Sequence, residues 1–324
     1  RRRTRHVALD RRGPLERGPG RDRGERADGR IEPFDASEEV RGRLDGRCQS
    51  AHSPQLSRRP AMETLDTGQL TGNAAEVYEA FFVPALFADW APRVCDAAGV
   101  AAGQRALDVA CGSGVVAREA ARRGAEVLGL DRNAGMLAVA RRLGPGIEWR
   151  EGMAEKIPFA DGSFDAVTCQ FGLMFFEDRV QALTEMMRVL RPGGRLVATV
   201  WDSLERTPGY RAMAALLQRL FGDETAALLR APFVLGEAAE LRRLFATAGI
   251  ALPGIQTIAG EARFPSLEAW VCTDVKGWTL ADAIDDAQYA ELQKAAQKEL
   301  RQFTRADGRV RFAAPAHIVT AVKS

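Results

Sequence analysis

Two carboxylates and two glycines carry the densest chemical signal in this sequence. Asp108 lies in a short apolar run, Ala106-Leu-Asp-Val-Ala110, which leads through Cys111-Gly-Ser-Gly114 into a helix-forming stretch. A strand–turn–helix of this kind presents backbone N–H groups and a helix N-terminus to a ligand, and in dinucleotide folds a pyrophosphate sits there. An acid at the strand end would repel phosphate and attract a cation. Gly112 and Gly114 suit positions where a side chain would block close approach of the ligand or strain the turn. A second apolar run, Glu126-Val-Leu-Gly-Leu-Asp131, ends in an acid 23 residues after Asp108. That is about the spacing at which an acid of a β-α-β unit accepts hydrogen bonds from ribose hydroxyls. The competing reading is an ordinary strand–turn–helix with a capping Asp. Taken with both acids, the pattern favours S-adenosyl-L-methionine, which offers an ammonium and a sulfonium and carries no phosphate.

The elements that must hold these residues follow from periodicity. Strands are expected at about 106–110, 126–131, 147–151, 164–170 and 195–201, with helices near 115–124, 133–143 and 178–191. This alternation implies a parallel sheet covered on both faces. Val180, Leu183, Met187 and Leu190 recur at helical spacing, and Arg191-Pro192-Gly193 stops that helix. Residues Ala74 to Ala98 read as one or two helices whose Tyr78, Phe81, Phe82, Phe87 and Trp90 would cover the cleft. Further on, helical segments are expected at 207–231, 236–249 and 265–303, with strands near 255–264 and 309–322. Ligands of open α/β sheets bind at the carboxyl ends of the strands, so substrate would enter between the N-terminal helices and these insertions.

From about Ala74 to Lys323 the chain resembles the class I S-adenosylmethionine-dependent methyltransferases, in the small-molecule branch that includes the ubiquinone/menaquinone-biosynthesis enzymes (methyltransferase type 11). Beyond the glycine turn, the resemblance rests on Glu151-Gly-Met-Ala-Glu-Lys-Ile-Pro-Phe159, Asp161-Gly-Ser-Phe-Asp165 and Leu190-Arg-Pro-Gly-Gly-Arg-Leu196. It implies a Rossmann-like α/β fold: a seven-stranded, mostly parallel sheet with the last strand antiparallel, helices on both faces and a helical lid. It also implies a cofactor set. Asp108, Ala110 and Gly112 would lie around the methionine part with Gln170 beside it, Asp131 would hold the ribose, and Met153 with Ala154 would line the adenine; Ser113, Gly114, Arg132, Met136 and Gly152 complete the cofactor-binding set without an assigned part. Met153 departs from the family, which usually has Asp there, so adenine recognition would rest on backbone groups and thioether contact.

Composition bounds the rest. With 324 residues and 46% apolar side chains, the chain can bury a sizeable core. Residues 1–61 hold 16 Arg, no Lys and 10 acids, a balance of +6, whereas the whole chain is +2. With 12 Gly or Pro and no apolar periodicity, this segment is expected to be a disordered tail. Met62 is read as the true start, the preceding residues being upstream sequence, and 62–324 as the enzyme domain. An Arg-rich arm could serve nucleic acid, but its acids are interleaved and its one aromatic residue is Phe34, so no nucleic-acid partner is expected. No apolar run spans a membrane and no signal-peptide core precedes the domain, which suggests a cytoplasmic protein. Five cysteines without a CxxC pair and three histidines support neither disulfides nor a metal site. The sequence leaves oligomeric state open.

Methyl transfer from a sulfonium needs mainly in-line positioning and loss of the acceptor's proton. The chain reads Cys169-Gln-Phe-Gly172 after the fourth strand and lacks the Asn/Asp-Pro-Pro-aromatic motif of base and glutamine N-methylation. A small, lipophilic or aromatic methyl acceptor, methylated on oxygen or activated carbon, is therefore expected. Cys169 reads as a buried strand cysteine and Phe171, Phe175 and Phe176 as core, with one ring facing the pocket. No catalytic residue is assigned. Tyr78, His317 and Asp202 are candidates, each with a packing or structural alternative. A non-catalytic cofactor-binding or regulatory protein of the same fold is the competing function, and a nucleic-acid methyltransferase a third.

Overall fold

The computed structural model describes residues 72–276, 280 and 283–324, so the Arg-rich segment and the reading of Met62 as a start lie outside the described residues. The chain enters through α1 (Gly72–Val77), a π-helical stretch Tyr78–Phe87, a 3-10 turn Ala88–Trp90 and α2 (Ala91–Ala98). The π-helical stretch is apolar nearly all round and contains Pro84, which supplies no N–H to a regular α-helical ladder.

Next come β1 (Arg105–Val109), α3 (Val115–Arg122), β2 (Glu126–Asp131), α4 (Ala134–Leu143), β3 (Glu148–Glu151), β4 (Phe164–Gln170), α5 (Arg179–Val189) and β5 (Leu190–Trp201). Asn133 and Asp178 cap α4 and α5, their side chains accepting from the N–H groups of Met136 and Gln181. Arg191-Pro-Gly-Gly194 ends α5 as expected, but the backbone is already extended there. Pairing with β4 jumps from Phe164–Leu190 to Ala166–Arg195, which absorbs the four residues as an irregularity at the start of β5.

The second half adds α6 (Pro208–Phe221), α7 (Asp223–Arg230), α8 (Ala238–Thr247), β6 (Gly254–Ile258), β7 (Glu261–Phe264), α9 (Leu267–Lys276), α10 (Asp286–Glu299), β8 (Val310–Ala313) and β9 (Ala316–Val322). Seven strands form one sheet in the order β3-β2-β1-β4-β5-β9-β6, in which β9 alone runs antiparallel to its neighbours. This is the expected Rossmann-like architecture. Strand order reverses at β1, between β2 and β4, and the carboxyl ends of β1 and β4 open a crevice there.

Two expected strands are each two strands. The run 255–264 breaks at Ala259-Gly260 and the run 309–322 at Ala314-Pro315, and β7 and β8 leave the main sheet to pair as a separate antiparallel ribbon. The break is held by Ala314 N–H donating to Gly260 O (2.9 Å). A Cβ on Gly260 would lie 2.3 Å from Ala314 O and 2.4 Å from the Trp90 ring. Pro315, lacking an N–H, cannot continue a ladder and instead offers its carbonyl to Asp202 N (3.0 Å).

The ribbon carries a second aromatic core for the inserted helices. Phe312 lies 4.7 Å from Trp270 and 5.3 Å from Tyr210, and Phe264 stacks on Trp270 at 5.9 Å (ring centroids). Burying each ring contributes roughly 1.5–3 kcal/mol. Among these rings sits one carboxyl, Asp274, 4% exposed, with the Tyr210 hydroxyl donating to Oδ1 at 3.2 Å. Burial pushes its pKa up to about 8. An unfolded Asp titrates near 3.9, so this group's contribution to stability is complete below pH ~4 and is lost as pH rises toward 8. Asp274→Asn is accordingly expected to flatten the decline of the thermal midpoint between pH 5 and 8. Parallel midpoint–pH curves for variant and wild type would show that Asp274 is charged in the fold throughout.

Candidate functional site

An open cleft of about 900 Å³, counting space continuous with solvent, lies over the carboxyl ends of β1, β2 and β4. Its floor is backbone held in an unusual conformation. Ala110 and Phe171, the first residues after β1 and β4, have φ of 53° and 55°. A side chain in the left-handed region costs on the order of 1–3 kcal/mol and persists where the surroundings over-determine it, most often at functional sites. Here Phe171 N–H is held by Thr199 O (3.0 Å) and Cys111 N–H by Leu130 O (3.0 Å), which pins both turns to neighbouring strands.

Asp131 occupies the end of β2 at the cleft wall. Its Oδ2 accepts from Gly112 N (2.8 Å) and its Oδ1 from Asn133 N (2.8 Å), so one carboxylate ties the glycine turn to the cap of α4. Burial raises its pKa, while the two backbone N–H groups and Arg132 favour the charged form. Gly112, φ +55°, has open space where a Cβ would point, with the nearest atoms those of Tyr78 at 3.9–4.0 Å. Gly152, Met153 and Ala154 line one side with Met136. Met153 is 43% exposed, and Gln170 closes the opposite end. Gln170 Nε2 donates to Phe87 O (3.3 Å), and its buried Oε1 has no partner.

Several expected site residues are elsewhere. Asp108 is 3% exposed and does not line the cleft. Its carboxylate accepts from Ala117 N in the first turn of α3 (3.1 Å) and from the Thr168 hydroxyl on β4 (2.9 Å). The acid thereby ties α3 to β1 and β4, with its pKa raised to about 7 by burial. Ser113 is buried at 1% and is also absent from the lining. Gly114, φ +90°, does not line the cleft and packs against a ring. A Cβ there would lie 2.3 Å from the Trp149 ring, which also lies 2.3 Å from the Cβ position of Gly129 and donates from Nε1 to Gly144 O (2.9 Å).

The other candidates separate as well. His317, 3% exposed on β9, uses both nitrogens. Nε2 donates to Gly236 O (2.8 Å), Nδ1 is hydrogen-bonded with the Thr257 hydroxyl (2.9 Å), and Asp202 Oδ1 lies 3.5 Å from Nε2. Asp202 accepts from Ser203 N (2.7 Å). The pair joins β5, β6 and β9 and stands apart from the cleft. Cys169 is fully buried and burial pushes its thiol up to about 12, so no thiolate is offered at neutral pH. Tyr78 does line the cleft, stacked on Phe87 at 5.3 Å. Burial, followed by Glu79 and the cleft acids, pushes its hydroxyl pKa up.

Sequence reasoning missed part of the lining. Phe171, Phe175 and Phe176 all line the cleft, where one was expected to face it, and Asn133, Glu155 and Gly172 join them. Phe171 is backed by Trp201, stacked at 3.9 Å, so Trp201 supports the pocket from behind. Among the described residues, the helical segments 207–231 and 265–303, expected to wall the methyl-transfer site, contribute none to the lining of this cleft. Asn133 was signalled by its cap position, whereas the orientation of the rings depends on long-range packing.

Residues 107–198 match the family model described as a methyltransferase domain. Among curated proteins, the chain is 48% identical over 108 residues to a demethylmenaquinone methyltransferase of Renibacterium salmoninarum, covering 33% of this chain and 46% of that protein. It is 42% identical over 127 residues to the protein of that name from Beutenbergia cavernae, covering 39% and 51%. The chain thus spans about half the length of the curated relatives it matches. Among solved structures, it superposes on a phosphoethanolamine N-methyltransferase of Haemonchus contortus with a TM-score of 0.52 at 19% identity, covering 78% of this chain and 57% of that one. A putative methyltransferase of Bacillus halodurans gives 0.51 at 21%, covering 72% and 98%. These structural likenesses concern the fold. Among the described residues, no helix is long and apolar enough to cross a membrane, and no cluster of His, Cys, Asp or Glu could hold a metal.

Proposed function

We propose that this chain, which matches a methyltransferase-domain model over residues 107–198, transfers the methyl group of S-adenosylmethionine to an oxygen or activated carbon of a small lipophilic, quinone-like acceptor. The observation that carries the reading is the chemistry of the cleft's polar ends. Asp131 stands where ribose hydroxyls could donate to its remaining lone pairs. At the far end, the unpartnered Oε1 of Gln170 could accept from an ammonium. The charged side chains of the lining are Asp131, Arg132 and Glu155, a net negative set that suits a cationic cofactor better than a phosphorylated one. Met136, Met153 and Ala154 form an apolar slot for the adenine.

The bound cofactor supplies an activated methyl group, and the protein's part is to place the acceptor in line with it and to exclude water. Tyr78, Phe87, Phe171, Phe175 and Phe176 give that part of the cleft an aromatic lining suited to a flat, apolar acceptor. Tyr78, with its raised pKa, stays protonated at neutral pH and can donate but not abstract. The acceptor's proton then leaves through the acceptor's own acidity, as in a quinol or phenol. The relatives named as demethylmenaquinone methyltransferases support that class of acceptor for this chain.

The test is transfer of tritiated methyl from S-adenosylmethionine into the organic phase, with reduced demethylmenaquinone as the first acceptor. Label is expected there, and Tyr78→Phe is expected to retain turnover within about twofold. Absence of extractable label across quinols and phenols would overturn the acceptor class. A large loss in Tyr78→Phe would give the hydroxyl a direct part in transfer.

A further inference from the structure

The residue-78–87 cover and the glycine turn meet at the cleft, where Tyr78 lies against Gly112, and one side chain hydrogen-bonds to both. Arg118, on α3, donates from Nη1 to the carbonyl of Ser113 (2.5 Å) and from Nη2 to Oε1 of Glu79 (2.8 Å). Glu79 adjoins Tyr78, whose ring lies against Gly112, and Gly112 in turn donates to Asp131. The two partners are well shielded, with side-chain exposures of 25% and 21%. Two other ion pairs of the entering segment, Glu76–Arg142 and Asp89–Arg263, are each about half exposed and correspondingly screened. Arg118 also grips a carbonyl of the turn, which neither of those ion pairs does. Glu79 Oε2 is buried without a partner, so the carboxylate depends on Arg118 for compensation.

We propose that Arg118 and Glu79 are positioning residues that couple the cofactor turn to the aromatic cover. Ordering of Gly112 by the cofactor is passed through the adjoining Ser113 carbonyl and the guanidinium to Glu79 and sets Tyr78 and Phe87 for the acceptor. The inference rests on the cofactor reading given above. A planar guanidinium with donors in fixed directions can hold both acceptors at once, whereas a lysine ammonium on a flexible stem holds them poorly.

Amide hydrogen exchange of residues 78–87, followed with and without S-adenosylhomocysteine, reads this coupling. In the wild-type protein the ligand is expected to slow exchange across 78–87. In Arg118→Met, and separately in Glu79→Gln, the ligand is expected still to bind while that slowing is lost. The acceptor KM is expected to rise ~10-fold, about the worth of one charge-assisted hydrogen bond, with kcat changed far less. Arg118→Lys is expected to recover only part of both effects. Wild-type protein that binds the ligand without slowing at 78–87, or variants that keep the slowing and the acceptor KM, would overturn the coupling and leave the functional reading intact. Wild-type protein that binds no ligand would overturn both.

Discussion

Alanine at Gly114 is expected to lower the thermal midpoint by ~10 °C and to reduce cofactor affinity only as a consequence. The new Cβ would stand 2.3 Å from one atom of the Trp149 ring and 2.9 Å from the next, in a residue whose φ is +90°. Overpacking of a rigid ring costs about 1–3 kcal/mol, and left-handed strain for a non-glycine residue costs on the order of 1–3 kcal/mol more. Against a total stability of about 5–15 kcal/mol this is a large fraction, and each kcal/mol moves the midpoint of a domain this size by roughly 2–4 °C. The two contributions can be separated. Trp149→Leu in the Gly114→Ala background should recover the steric part and leave the strain. If Gly114→Ala kept the wild-type midpoint but lost the cofactor, the glycine would serve the ligand, as its sequence context suggested.

Asp131→Ala is expected to weaken S-adenosylmethionine binding by about 1–3 kcal/mol, some 10- to 100-fold, through loss of charge-assisted hydrogen bonds to the ribose. The same change strips Gly112 N and Asn133 N of their acceptor, so the turn itself loosens. Asp108→Asn is the contrasting variant. Its carboxylate faces Ala117 N and the Thr168 hydroxyl, and an amide can satisfy only part of that pair. Its expected signature is a lower midpoint, with affinity lost only as far as α3 shifts. Calorimetry and melting curves on both variants distinguish the roles. Strong affinity loss without destabilisation in Asp108→Asn would return that acid to the ligand.

The contrast between these two acids shows what a sequence can and cannot convey here. Both lie in apolar runs at cofactor-like spacing, and by sequence each was expected to face the ligand. The difference lies in the side-chain direction set by the pleat and in a threonine sixty residues away on β4, neither of which is local. The sheet itself was readable, because alternating apolar strands and capped helices follow from short-range periodicity. The splits at Gly260 and Pro315 were signalled by residues that punctuate strands, yet their result, a separate ribbon carrying Phe264 and Phe312, depends on Trp270 and Tyr210 far along the chain. Asp131, Gly112, Ala110, Gln170 and the 152–154 run reached the cleft as their motifs implied.

The most direct measurement is a calorimetric titration of the protein with S-adenosylmethionine, S-adenosylhomocysteine and NAD in parallel. Asp131, the net negative lining and the unpartnered Gln170 Oε1 predict saturable one-site binding of the two sulfur nucleosides and no heat of binding with NAD. Saturable binding of NAD with none of S-adenosylmethionine would contradict the account at its root.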